Sequence, residues 1–155
     1  MANNEDYDDL DRKIIELLCT SSQGSFRKIA KQLNVHPTTL IQRVKILETK
    51  GVINGYRAKI DYMNLGFEYM GIVHVYAEDV LNVQSKIKDM PQVMAVYDVT
   101  GDADCIAMIS CRDRDEFSET VKKINAVEGV KKTNTAVVLN VIKDPGDFIP
   151  VLKDR

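Results

Sequence analysis

No apolar run in this 155-residue chain approaches the ~20 residues that a helix needs to cross a bilayer; stretches such as MGIVHVYA fall far short. The opening MANNEDYDDL holds neither a basic patch nor an apolar signal core, so the expectation is a soluble protein of the cytoplasm with no membrane partner. Cysteine is scarce too. Cys19, Cys105 and Cys111 form no CxxC pair and have no histidine at ligand spacing, which leaves a zinc site unsupported and assigns them to packing. If Cys105 and Cys111 share a strand, six residues at ~3.3 Å each set them ~20 Å apart, too far for one disulfide or one metal. Histidine is limited to His36 and His74, and the latter, on a strand pattern beside Ile72 and Tyr76, reads as a packed side chain. No nucleophile stands beside a base, and no glycine-rich phosphate loop or metal constellation occurs. The common catalytic classes are therefore without residues to carry them, and no cofactor is expected.

What the chain does have is 45% hydrophobic residues, enough to build one core or two small ones, and an uneven distribution of charge. The formal net charge of −2 conceals three blocks. Residues 1–24 carry two basic and six acidic side chains, residues 25–59 carry eight basic and one acidic, and residues 60–155 carry 11 basic and 16 acidic. The middle block holds Arg27, Lys28, Lys31, Arg43, Lys45, Lys50, Arg57 and Lys59, with Glu48 its lone acid. Phosphate contacts supply most non-specific affinity for DNA, so a local +7 inside an acidic chain points to a nucleic-acid partner where the whole-chain balance does not. The plainer reading is a solvated basic face.

Periodicity organises the chain around that block. From Asp8 to Thr20, Leu10, Ile14, Leu17 and Leu18 recur at helical spacing, with acids crowding the first turn, where the helix dipole favours them. Ser21 to Gly24 is a polar turn. Ser25 then caps a second helix whose buried side is Phe26, Ile29, Ala30 and Leu33, ending near Asn34. His36 occupies the cap and Pro37 the first position of a third helix that Gly51 stops. At about 100° per residue, Leu40, Val44 and Leu47 fall on one stripe of it, and Thr38, Gln42, Lys45 and Thr49 on the opposite one. Two helices joined by a short turn, the second polar in its N-terminal half, is the layout of a helix-turn-helix.

After Gly51, VINGYRAKID reads as a short strand or extended arm leading into a linker. From Phe67 the pattern becomes strand (about 67–77), helix (80–89), strand (93–99), strand (104–111), helix (114–127) and strand (131–142), a βαββαβ order. That is the ferredoxin-like arrangement, with both helices on one face of an antiparallel sheet. The first strand offers Met70, Ile72 and Tyr76 on one side and Gly71, Val73 and Val75 on the other; the third offers Ala107 and Ile109 against Ile106 and Met108. Apolar residues on both faces predict that a second copy of the chain covers the face the helices leave open. The expected organisation is α+β: a helix-turn-helix (winged-helix-like) unit over 1–53, a linker over 54–65, a ferredoxin-like unit over 66–143 and a tail over 144–155 with no assigned chemistry.

The run LDRKIIELL, then IAKQL, then PTTLIQRVKILETKGVINGY, followed by a βαββαβ region with VTGDADCI and VKKTNTAVVL, resembles the Lrp/AsnC (feast/famine) transcription regulators across roughly residues 8–143. The most specific part is TxxxRVKxLExxGVIxGY with a later TGDxD and TxT. The resemblance implies a homodimer, assembled in many members into an octamer or another higher oligomer, that binds double-stranded DNA through the helix-turn-helix. It also implies sensing of a small molecule, typically an amino acid, between C-terminal domains. Where many members have serine before the recognition helix this chain has His36, which either caps or meets a phosphate. Ala103 stands where the TGDxD motif often has a bulky residue, which bears on the effector's identity and on whether one exists.

The expected DNA-reading residues are Thr38, Thr39 and Gln42, since threonine can meet a thymine methyl and glutamine can pair with adenine. Ser25, Arg27, His36, Arg43, Lys45 and Arg57 are the phosphate candidates, with an ion pair inside the domain as the alternative for Arg43. Gly101, Asp102 and Asp104 lie in the turn between the second and third strands, where a glycine-acid turn is common for local reasons. The resemblance makes Asp102 and Asp104 candidate ligands for an effector's ammonium group, with Gly101 in the turn and Thr133 and Thr135 supplying hydroxyls; β propensity alone also accounts for the threonines. Two other readings stand beside the regulator: an enzyme like the siroheme decarboxylases, which need a histidine- and arginine-lined pocket where this region offers only His74, and an oligomerising ligand-binding adaptor.

Overall fold

The computed structural model describes residues 7–20 and 25–150. The expected turn at 21–24 and the last residues of the tail lie outside them. The chain divides into two compact units, one running to Ile60 and including the segment from Ile142, the other spanning Asp61–Val141.

The first unit is built on three helices: α1 (Asp9–Thr20), α2 (Phe26–Gln32) and α3 (Pro37–Thr49). Ile14 of α1, Ile29 and Ala30 of α2, and Leu40, Val44 and Leu47 of α3 form its buried core. The α3 stripe follows the 3.6-residue period, and burying these side chains is what holds three helices this short. Asp8 and Asp11 close the start of α1 reciprocally: the Asp11 N–H donates to Asp8 Oδ1 at 2.9 Å, and the Asp8 N–H to Asp11 Oδ2 at 3.4 Å. Gly51, at φ 69°, takes the left-handed conformation that ends α3. Residues 53–61 carry no regular secondary structure, so VINGYRAKID is an arm and not a strand, and no β-hairpin wing forms among the described residues.

The second unit follows the βαββαβ order with β1 (Tyr69–Ala77), α4 (Val80–Ile87), β2 (Val93–Asp98), β3 (Cys105–Cys111), α5 (Arg114–Asn125) and β4 (Val130–Val137). The strands form one antiparallel sheet in the order β2-β3-β1-β4. Val73, Val75, Cys105, Ala107 and Ile109 point to the face that Val83 and Ile87 of α4 and Ile124 of α5 cover. On the other face Ile72 pairs with Met108 and Ala136, and His74 with Ile106 and Asn134; Ile72, His74, Ile106 and Met108 stay half-exposed. His74 is thus half-exposed, on the sheet face that the helices leave open. Cys105 and Cys111 are buried, which raises both thiols above the usual range. Cys19 is exposed on α1, so the packing role assigned to it does not hold.

Candidate nucleic-acid interface and effector site

Ser25 is the N-cap of α2; its Oγ accepts from the Lys28 N–H at 3.3 Å, which leaves the hydroxyl proton to donate outward. Asn34 takes a left-handed turn at φ 53°, and the Val35 N–H returns to the Ala30 carbonyl at 3.0 Å. His36 then caps α3, its Nδ1 accepting from the Thr38 N–H at 3.3 Å. That bond sets the proton of the neutral ring on Nε2, so His36 can cap and still present a donor. Past the cap, Thr38, Thr39, Gln42 and Lys45 are all exposed.

Arg43 behaves differently. Its guanidinium lies 2.7 Å from Asp8 and 3.2 Å from Asp11, the second carboxylate being nearly buried. Both acids belong to the capped start of α1, so Arg43 fastens α3 to α1, and its place among the phosphate candidates gives way to the ion pair. The Asp8 carboxyl is held below its ordinary range first by the Asp11 N–H and then by Arg43, and Asp8 in turn raises Arg43. Lys59 is paired with Asp147, which a short 3-10 turn, Pro145–Asp147, presents. Among the described residues Arg27, Lys28, Lys31, Lys45 and Arg57 have no acidic partner, so their charge is available to a polyanion.

A contact that periodicity could not reveal ties the arm to the helices. The Tyr56 hydroxyl donates to Glu48 Oε1 at 2.8 Å, and its ring meets Phe26 edge-on with centroids 6.2 Å apart. Partial burial, then Glu48, push the phenol up to about 12. The pair is eight positions apart, but α3 ends between them and two positive-φ glycines intervene, so they share no helix or strand whose period could link them.

In the second unit the residues of the TGDxD turn have local partners. Gly101 is exposed at φ 127°. Asp102 Oδ2 accepts from the Tyr76 hydroxyl at 2.7 Å, which raises the phenol, and Lys132 lies 4.1 Å over the same ring. Asp104 Oδ2 accepts from the Ala77 N–H at 2.8 Å, at the irregularity between Tyr76 and Ala77 where β1 leaves register with β4. Ala103 is buried. Thr133 and Thr135 pair with Val75 and Val73, on the helix-covered side of the sheet, and Thr133 donates to Asn125 Oδ1 at 3.4 Å. Strand alternation puts Tyr76 on the opposite side. The structure therefore does not join the threonines to the two acids by any hydrogen bond. A separate open groove of about 390 Å³ lies between α4 and β2, lined by Leu81, Gln84, Ser85, Lys88, Val96 and Asp98, and includes none of these residues.

A three-helix unit whose third helix shows a polar stripe, set in the one strongly basic part of the chain, together with a ferredoxin-like unit, defines a two-part protein of the helix-turn-helix class. Family models agree with both parts: the AsnC-type helix-turn-helix domain matches residues 8–48 and the Lrp/AsnC ligand binding domain matches residues 71–148. The chain is 41% identical over 146 residues to an uncharacterised HTH-type transcriptional regulator of Pyrococcus furiosus, covering 90% of this chain and 95% of that one. It superposes on Escherichia coli AsnC with TM-score 0.79 at 25% identity, covering 89% of this chain and 95% of the other. The fold also matches a Neisseria meningitidis transcriptional regulator solved with L-methionine, with TM-score 0.83 at 22% identity and 89% and 93% coverage. The chain belongs to the Lrp/AsnC family of transcriptional regulators, and its function is DNA binding in the control of transcription. No described helix is long and apolar enough to cross a membrane.

Proposed function

We propose that two copies of the chain, acting in the cytoplasm, read a two-part DNA site with paired α3 helices. Thr38, Thr39 and Gln42 contact base edges, while Ser25, Arg27, His36, Lys45 and Arg57 hold phosphates. The observation that carries this reading is that Thr38, Thr39 and Gln42 are exposed in the first turns of α3, amid cations that lack acidic partners. The half-exposed apolar face of the sheet supports association of copies through the second unit. We further propose an amino-acid effector near the Gly101–Asp104 turn, supported by the match to the ligand-binding family model. Because Thr133 and Thr135 lie on the helix-covered side of the sheet while Asp102 is tied to Tyr76 on the other, the reading draws the acids and the threonines of one effector site from different copies. Asp102 and Asp104 each accept one bond through Oδ2, from the Tyr76 hydroxyl and the Ala77 N–H, and each keeps a second oxygen for an ammonium group.

The base and phosphate roles separate experimentally. Gln42→Ala lowers affinity for a duplex selected by the wild type about tenfold, within the 1–3 kcal/mol span of a bidentate base contact, and leaves mixed-sequence DNA nearly unaffected. Arg27→Ala weakens both duplexes alike and reduces the salt slope by about one. Equal losses on both duplexes for both variants would overturn the division.

A further inference from the structure

Glu48 is the lone acid among the eight cations of residues 25–59, and its position is unfavourable on two counts. It sits in the last turn of α3, where the helix dipole is negative, and it adds negative charge to the surface that meets phosphate. It is exposed and outside the core stripe of Leu40, Val44 and Leu47. Among the described residues its side-chain partner is Tyr56, at 2.8 Å. The Tyr56 ring in turn leans on Phe26, which opens α2 and packs against the core. Gly51 and Gly55, at φ 69° and 154°, let the intervening chain return. Tyr56 is therefore fastened to α3 through its hydroxyl and to α2 through its ring, and the next residue is Arg57, whose guanidinium has no partner among the described residues.

We propose that Glu48 and Tyr56 form a latch that holds the otherwise irregular arm against the helix-turn-helix, so that Arg57 is positioned for a phosphate before DNA arrives. Ordering the arm in advance removes an entropy cost from binding. Both latch members are positioning residues, and the inference rests on the reading of Arg57 as a phosphate contact.

Bulk electrostatics and the latch predict opposite signs for one substitution. Deleting the Glu48 charge tightens DNA binding if the carboxylate is only a charge, and weakens it if the carboxylate is the anchor. Affinities of the full chain for a mixed-sequence duplex, measured by fluorescence anisotropy, discriminate. Glu48→Ala and Tyr56→Phe are each expected to weaken binding roughly three- to tenfold, the range of one net hydrogen bond. Glu48→Gln, which keeps the accepting oxygen, restores binding to the wild-type level or above. In an Arg57→Ala background, neither Glu48→Ala nor Tyr56→Phe weakens binding further. Tighter binding by Glu48→Ala, or losses of undiminished size in that background, would overturn the latch while leaving Arg57 as a contact. No change on Arg57→Ala alone would overturn the phosphate reading and the latch with it.

Discussion

Arg43 and Lys45 lie two positions apart on one helix and carry the same charge, yet only Lys45 has charge to offer DNA. Arg43 is consumed by two carboxylates whose own geometry the α1 cap fixes. The consequence appears in acid. The Asp8 carboxyl titrates below its unfolded value, so the stability it confers is complete above about pH 4 and is lost as pH falls through the lower, folded value. Asp8→Asn should therefore melt below the wild type at neutral pH, and the gap should close as pH drops past the ordinary aspartate range, with melting of the full chain followed by circular dichroism. Because Asp8 is half-exposed, screening limits the effect to about 1 kcal/mol or less. A gap that stays constant into acid would mean that the carboxylate charge is not what Arg43 uses.

At the scale of elements, what could be read from sequence was whatever local periodicity encodes. Leu40, Val44 and Leu47 announce the buried side of α3 because their spacing repeats every helical turn, and alternation in β1 separates Val73 and Val75 from Ile72 and Tyr76. Non-local partners leave no such trace. The bond from the Ala77 N–H to Asp104 and the choice between phosphate and ion pair for Arg43 each depend on a register or a packing arrangement that one segment does not contain. Gly71 is a further case. Its place in β1 looks like a weakness in a strand, but a Cβ there would come within 2.5 Å of the Phe117 ring, so glycine is what lets α5 lie against the sheet. Gly71→Ala is expected to destabilise the second unit by about 1–3 kcal/mol in urea unfolding, and Phe117→Leu in the same chain should recover part of that loss. A Gly71→Ala protein as stable as the wild type would show that the ring moves aside at no cost.

At the scale of the whole molecule, one chain presents one helix with an exposed polar stripe and one sheet with a half-exposed apolar face, and in the proposed assembly the two features have complementary uses. Pairing copies through the second unit presents α3 twice, and two recognition helices related by a two-fold axis read half-sites about one helical turn, ~34 Å, or a multiple of it, apart. The latch and the Arg43 ion pairs act before this step by fixing α3 and its basic arm as one rigid reader. The most direct test is selection of bound DNA from a random pool by the full chain and by Gln42→Ala, each with and without mixed amino acids. The expected wild-type product is a pseudo-palindrome with that half-site spacing, and Gln42→Ala should change base preference at the same position of both halves while keeping the spacing. A wild-type pool with no enriched site, a lone unpaired half-site, or an identical site recovered by Gln42→Ala would contradict the assignment of α3 as a paired reader.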